Sequence, residues 1–200
     1  MSTEQSINFK NLFEQFANNS DFSVEIDIGN APVEMQELEE DIASILQEFN
    51  IESADFALPQ AIKEQLCLYN KLFVRWYKPS SPIMGSFSFP HLVDMLESKI
   101  SIEGKTLFLF DDFQDMWKVY IHLDPETLYF ANLYENTYLP MRIDIPAYYD
   151  KLAMCMGLTN WQEFFMEDLN YESNEGVKEE FESYFKKLFP SILLAEFKKI

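Results

Sequence analysis

Over residues 117–123 the chain alternates with period two: Trp117, Val119, Ile121 and Leu123 share one face, and Lys118, Tyr120, His122 and then Asp124 share the other. That is the pattern of a half-buried strand. Apolar runs separated by acidic turns extend it over 105–133, which predicts a β-meander and places a sheet at the centre of the fold. Ahead of it, Phe9, Leu12, Phe13 and Phe16 recur at helical spacing and predict an opening amphipathic helix, ended by the polar stretch 18–21. Phe22, Val24, Ile26 and Ile28 then alternate with Ser23, Glu25 and Asp27 before Gly29-Asn30, a strand leaving by a turn. A second helix carries Leu38, Ile42, Ile45, Leu46 and Phe49 on one side and its acidic residues on the other.

Leu58-Pro59 opens a third helix, with proline where a missing N–H costs nothing, and Ile62, Leu66, Tyr69 and Phe73 form its buried stripe. Pro79, Pro82 and Gly85 break regularity; a short strand is expected over 85–89 and a short helix over 90–98 with Leu92, Val93 and Leu96. After Pro146 a helix over 148–156 is closed by Gly157, suited to the left-handed turn beyond a helix end. Thr159 to Gln162 has capping-box form and predicts a further helix faced by Trp161, Phe164, Phe165 and Leu169. Val177, Phe181, Phe185 and Leu188 predict one more helix, and Ile192, Leu193, Leu194 and Phe197 a short last turn after Pro190.

With 200 residues, 48% of them hydrophobic and 19 of them Phe, the chain can bury a sizeable core, and its length fits a single domain over 1–200. No run approaches the roughly 20 apolar residues that span a bilayer. The first residues lack the basic start and apolar middle of a secretory signal, so the expected compartment is the cytoplasm. Cys67 and Cys155 fall in predicted helices among apolar neighbours, the setting of reduced, packed thiols.

Charge changes the picture more than composition does. The formal net charge is −19, from 34 Asp and Glu against 15 Lys and Arg, and it is unevenly spread. Up to Ile62 the only basic residue is Lys10, against Glu4, Glu14, Asp21, Glu25, Asp27, Glu34, Glu37, Glu39, Glu40, Asp41, Glu48, Glu52 and Asp55. Such a field repels nucleic acid and anionic membrane and attracts cationic partners over a Debye length of about 8 Å. Acidity for solubility accounts for the same composition equally well.

Motifs for chemistry fail one by one. Asp111-Asp112-Phe113-Gln114-Asp115 matches the DDxxD pattern that holds magnesium in isoprenoid diphosphate enzymes, but that use requires one helix face, whereas here the aspartates lie between strands over 107–110 and 117–123. A polar hairpin turn is the simpler reading. His91 and His122 have no second histidine or paired cysteine at a metal-ligand spacing, so no metal and no cofactor is expected. Cys67 or Cys155 with His122 and Asp124 could be assembled into a nucleophilic site only without any cue in the sequence. Gly is scarce, and neither a GxGxxG nor a Walker loop offers a phosphate cradle.

The order of elements resembles the SUKH superfamily, which includes yeast cell-wall assembly regulators of the SMI/KNR type and many bacterial immunity proteins. The likeness is carried by Leu58-Pro59, Leu66, Tyr69-Asn70, Gly85, Asp111-Asp112 and Trp161-Gln162-Glu163-Phe164-Phe165. It covers residues 34–169, with 1–33 as an N-terminal helix and strand extension and 170–200 as a C-terminal helical extension. The family follows its helix with Asn-Gly, whereas Asn70 precedes Lys71 here, so that helix is expected to run on through Trp76.

The resemblance implies an α+β fold with one twisted antiparallel sheet packed by helices, and a binding role without turnover. Many members neutralise a toxin, often a nuclease, whose basic cleft an acidic surface could occlude. Glu34, Glu37, Glu39, Glu40 and Asp41, with Asp111, Asp112 and Asp115, are the candidate surface for a basic protein partner such as a toxin domain. Two rivals stand beside it. One is a regulatory scaffold that binds through an apolar groove and exposes an aromatic patch. The other is a magnesium-dependent enzyme built on Asp111, Asp112, Asp115 and His122.

Overall fold

A computed structural model describes residues 8–29, 32–52, 56–167 and 175–200. Glu4, Asn30, Asp55 and Leu169, named above, lie outside them. In chain order the elements are α1 (Phe9–Ala17), β1 (Ser23–Ile28), α2 (Met35–Glu48), α3 (Gln60–Leu68), β2 (Leu72–Tyr77), β3 (Met84–Phe89), α4 (Leu92–Glu97), β4 (Ile100–Ile102), β5 (Lys105–Asp111), β6 (Trp117–Leu123), β7 (Glu126–Asn132) and β8 (Thr137–Pro140). There follow α5 (Ile145–Cys155), a 3₁₀ helix (Trp161–Phe165), α6 (Glu175–Leu188) and α7 (Leu194–Phe197).

The class is α+β with antiparallel strands, as expected. The strands form two sheets in place of one, ordered β1-β2-β3 and β4-β5-β6-β7-β8. The second strand of the smaller sheet stands where the periodicity predicts helix: the helix expected to run through Trp76 ends at Leu68, and β2 follows from Leu72. Leu66, Tyr69 and Phe73 fit a helical stripe, but Leu72, Val74 and Trp76 fit an inward strand face equally well, and pairing on both sides decides for the strand. Trp76 is fully buried and its Nε1–H donates to Met156 O at 2.6 Å.

The remaining elements follow their local chemistry. Asn8 caps α1 by accepting from Asn11 N–H and also accepts from the Tyr69 hydroxyl, which ties the first helix to the end of α3. Phe9 and Phe13 are fully buried against Phe87, so the N-terminal helix belongs to the main core. Asp144 caps α5, which therefore starts at Ile145 and holds Pro146 in its first turn instead of starting after it. Thr159 does not form a capping box: its hydroxyl donates to Met84 O, and Asn160, with positive φ, leads into the 3₁₀ helix. Phe181 and Phe197 pack on Trp161, Phe164 and Phe165, and Phe185 packs behind them on Phe181 and Phe197.

The two faces of the larger sheet bury different clusters. Phe108, Val119, Ile121, Leu128 and Phe130 join the main core under the helices, while Leu107, Leu109, Tyr120, Tyr129 and Ala131 form a second, smaller cluster on the opposite face. The half-buried strand expected over 117–123 is thus buried on both faces at its centre, because the sheet curls over its own second face.

Candidate functional site

The helix α2 places its acidic residues by simple periodicity. Leu38, Ile42 and Leu46 are buried, and 3.6 residues per turn then put Glu37, Glu40, Asp41 and Glu48 on the far side, where all four are exposed. Glu34, just ahead of the helix, is exposed as well. Glu39 lies on the flank toward α3, and its carboxylate pairs with Lys63 Nζ at 3.0 Å. Glu40 accepts from the Gln36 amide at 3.0 Å. Among the described residues, Glu34, Glu37, Glu40 and Asp41 have no ion-pair partner. Burial pushes the Cys67 thiol up, and the nearby carboxylates Glu34, Glu64 and Glu39 push it further. A thiol held protonated in this way is a poor nucleophile. Burial likewise raises the Cys155 thiol.

The second acidic group divides. Asp111 is fully buried, which corrects its assignment to the partner-binding surface. Cross-strand pairing explains why. Phe108 pairs with Ile121 and Leu109 with Tyr120, but Asp111 pairs with Val119, so Phe110 is an extra residue and a β-bulge. Strict alternation would have turned Asp111 toward Leu107 and Leu109; the bulge turns it to the main core. There its Oδ1 accepts from Ser88 N–H at 2.7 Å and its Oδ2 from the Tyr148 hydroxyl at 2.7 Å.

These bonds join the two sheets. Ser88 belongs to β3, whose outer edge also accepts Asp112 N–H at Ser88 O, 2.9 Å, while the Ser86 hydroxyl donates to Phe113 O at 2.8 Å. Farther along the same edge Ser86 N–H donates to Gly157 O, and Thr159 N–H to Met84 O. Gly85 permits that close approach: a Cβ there would stand 2.6 Å from both Gly157 O and the Trp76 indole. Burial pushes the Asp111 carboxyl up to about 7, against the downward pull of the Ser88 and Tyr148 bonds; Asp112 raises it slightly and Lys118 lowers it. Tyr148 is itself raised by burial and by Asp111.

Asp112 is half-exposed and ion-paired with Lys118, and Asp115 is exposed. The DDxxD aspartates therefore point to three different places, and His122 is not among them. Its Nδ1 lies 3.1 Å from Pro125 O and 3.2 Å from Asp124 N at the other end of β6. His122 borders a separate open cavity of about 630 Å³ with Glu52, Lys99, Thr106 and Asp124.

Sequence reasoning missed an apolar groove of about 480 Å³ beside Asp115. Tyr77, Met84, Met116 and Trp117 line it and are 49%, 48%, 41% and 38% exposed. Arg75 borders the same groove. The signal for it was the surface end of each of two hairpins, but which ends meet depends on the junction of the sheets. No α2 residue lines this groove, so Asp115 and the α2 carboxylates occupy different places.

Compared with known proteins, the chain matches no family model, no curated protein and no solved structure.

Proposed function

We propose that this chain is a non-catalytic protein-binding module that captures a cationic partner through the outward face of α2. The observation that carries the reading is the row Glu34, Glu37, Glu40 and Asp41, exposed and without ion-pair partners among the described residues. Carboxylates used only for solubility need no common face, whereas these sit on one helix and the residue that leads into it, and a clustered field steers association. The SUKH likeness implies the biological form, an immunity protein that blocks a basic, nuclease-type toxin. Asp112 and Asp115 are not needed for this surface, and Asp111 is left out of it.

Co-expression with the product of the gene immediately upstream tests the biological form: suppression of that product's lethality is expected, and undiminished killing would remove the immunity reading. The mechanism is tested on the purified pair. Reversing Glu37, Glu40 and Asp41 to Lys should slow association about tenfold at low salt and flatten its salt dependence. Unchanged kinetics would take α2 out of the interface.

A second reading draws on the groove formed by Tyr77, Met84, Met116 and Trp117. Exposed aromatic and methionine side chains in one depression suit a scaffold that binds an apolar segment. It predicts association that hardly changes between low and high salt and that falls on Trp117→Ala.

A further inference from the structure

The strand β1 pairs with β2 over all six of its residues, and it forms one edge of its sheet. Its ladder phase follows from the bond of Gly29 N–H to Lys71 O at 2.8 Å. In an antiparallel pair the bonded residues alternate, so Ser23, Glu25 and Asp27 turn their backbone groups toward β2. Val24, Ile26 and Ile28 turn theirs outward, and among the described residues no hydrogen-bond partner meets them. The other edge of the same sheet differs: β3 is closed by Asp111, Asp112, Gly157 and Thr159.

The side chains specify what could complete this edge. Val24, Ile26 and Ile28 pack on the core yet stay only half-buried, while Glu25 and Asp27 are exposed on the opposite face, Glu25 across from Arg75 and Asp27 paired with Lys71 Nζ at 3.4 Å. An added strand would set its alternate residues beside these two rows, apolar against the Val24 row and cationic against Glu25 and Asp27. A second copy of the chain does not satisfy this rule. Its own β1, laid antiparallel with apolar residues inward, would set Glu25 and Asp27 against carboxylates.

We propose that the free edge of β1 is a docking site for an extended segment of a partner protein in which basic and apolar residues alternate, added as a fourth strand to the smaller sheet. Main-chain bonds to Val24, Ile26 and Ile28 supply the attachment, and Glu25, beside the Asp27–Lys71 pair, selects the charge. The inference rests on the reading of the chain as a module for cationic partners, but it uses a strand that α2 does not contain.

The test uses the full chain, isotope-labelled, with a blocked six-residue peptide alternating lysine and valine. Hydrogen exchange at the amides of Val24, Ile26 and Ile28 should slow about tenfold or more on binding. The same peptide N-methylated on the edge facing β1, and a glutamate–valine peptide, should give no protection. Glu25→Lys with Asp27→Lys, both at exposed positions, should weaken binding about tenfold, whereas Glu37→Lys, Glu40→Lys and Asp41→Lys together should leave the protection in place. Peptide binding that is lost with the α2 changes and never protects these amides would overturn the edge site and leave the α2 reading intact. Equal binding of the N-methylated peptide, or no binding of the lysine–valine peptide, would also overturn the edge site.

Discussion

Two acidic stretches of this chain look alike in sequence and end in opposite environments. On α2, Glu37, Glu40 and Asp41 stand in solvent; at the end of β5, Asp111 is sealed between β3 and α5 and holds one group from each. The difference teaches that a carboxylate's role is set by what desolvates it. A solvated carboxylate contributes field and hardly any stability. A buried one contributes hydrogen bonds while neutral and a penalty once ionised.

The largest expected effect that sharpens this contrast is on pH dependence. Asp111 has its folded value raised to about 7, above its ordinary carboxylate value, so the folded state holds the proton more tightly than the unfolded chain does. The stability it provides is therefore complete below about pH 4 and is lost as pH rises through 7. Asp111→Asn cannot ionise and keeps an acceptor for Ser88. Unfolding free energies of the two proteins, measured by urea titration, should diverge by an amount on the order of 4 kcal/mol between pH 4 and pH 8, with the natural chain falling relative to the variant. Parallel curves would mean that Asp111 titrates like a solvated carboxylate.

A somewhat smaller loss, about 3 kcal/mol at pH 5, is expected for Asp111→Ala, which leaves the Ser88 N–H and Tyr148 O–H buried without their acceptor. Equilibrium denaturation measures it, and a cost below about 0.5 kcal/mol would place Asp111 in the same class as the α2 residues. Tyr148→Phe removes one of the two bonds and should cost about 1 kcal/mol. It should also raise the Asp111 titration further, because the hydroxyl is one of the groups that lowers it. The smallest effect belongs to α2: Glu37→Lys, Glu40→Lys and Asp41→Lys together should shift stability by no more than about 0.5 kcal/mol while changing association. A large destabilisation there would show these residues to be structural.

Much of the fold was legible. The helical stripes of α1, α2 and α6 and the meander from β5 to β7 lie where the apolar spacing puts them, since each buries one face and the period reports it. β2 was not legible, because Leu66, Tyr69 and Phe73 fit a helix as well as Leu72, Val74 and Trp76 fit a strand. Nor was the capping at Thr159, whose hydroxyl found Met84 O from a distant strand in place of its own helix. Of the candidate site, the α2 residues were readable from helical periodicity alone, while Asp112 and Asp115 could be placed in a turn but not beside Lys118 or the groove.

The sequence by itself determined which residues α2 turns to solvent and that its first third carries hardly any positive charge, because both depend only on local spacing and composition. Only the tertiary structure decided that Asp111 is an internal link, that β3 has a closed edge and that β1, among the described residues, has an open one. Those outcomes rest on a one-residue bulge at Phe110 and on contacts between segments far apart in the chain. No local pattern encodes them.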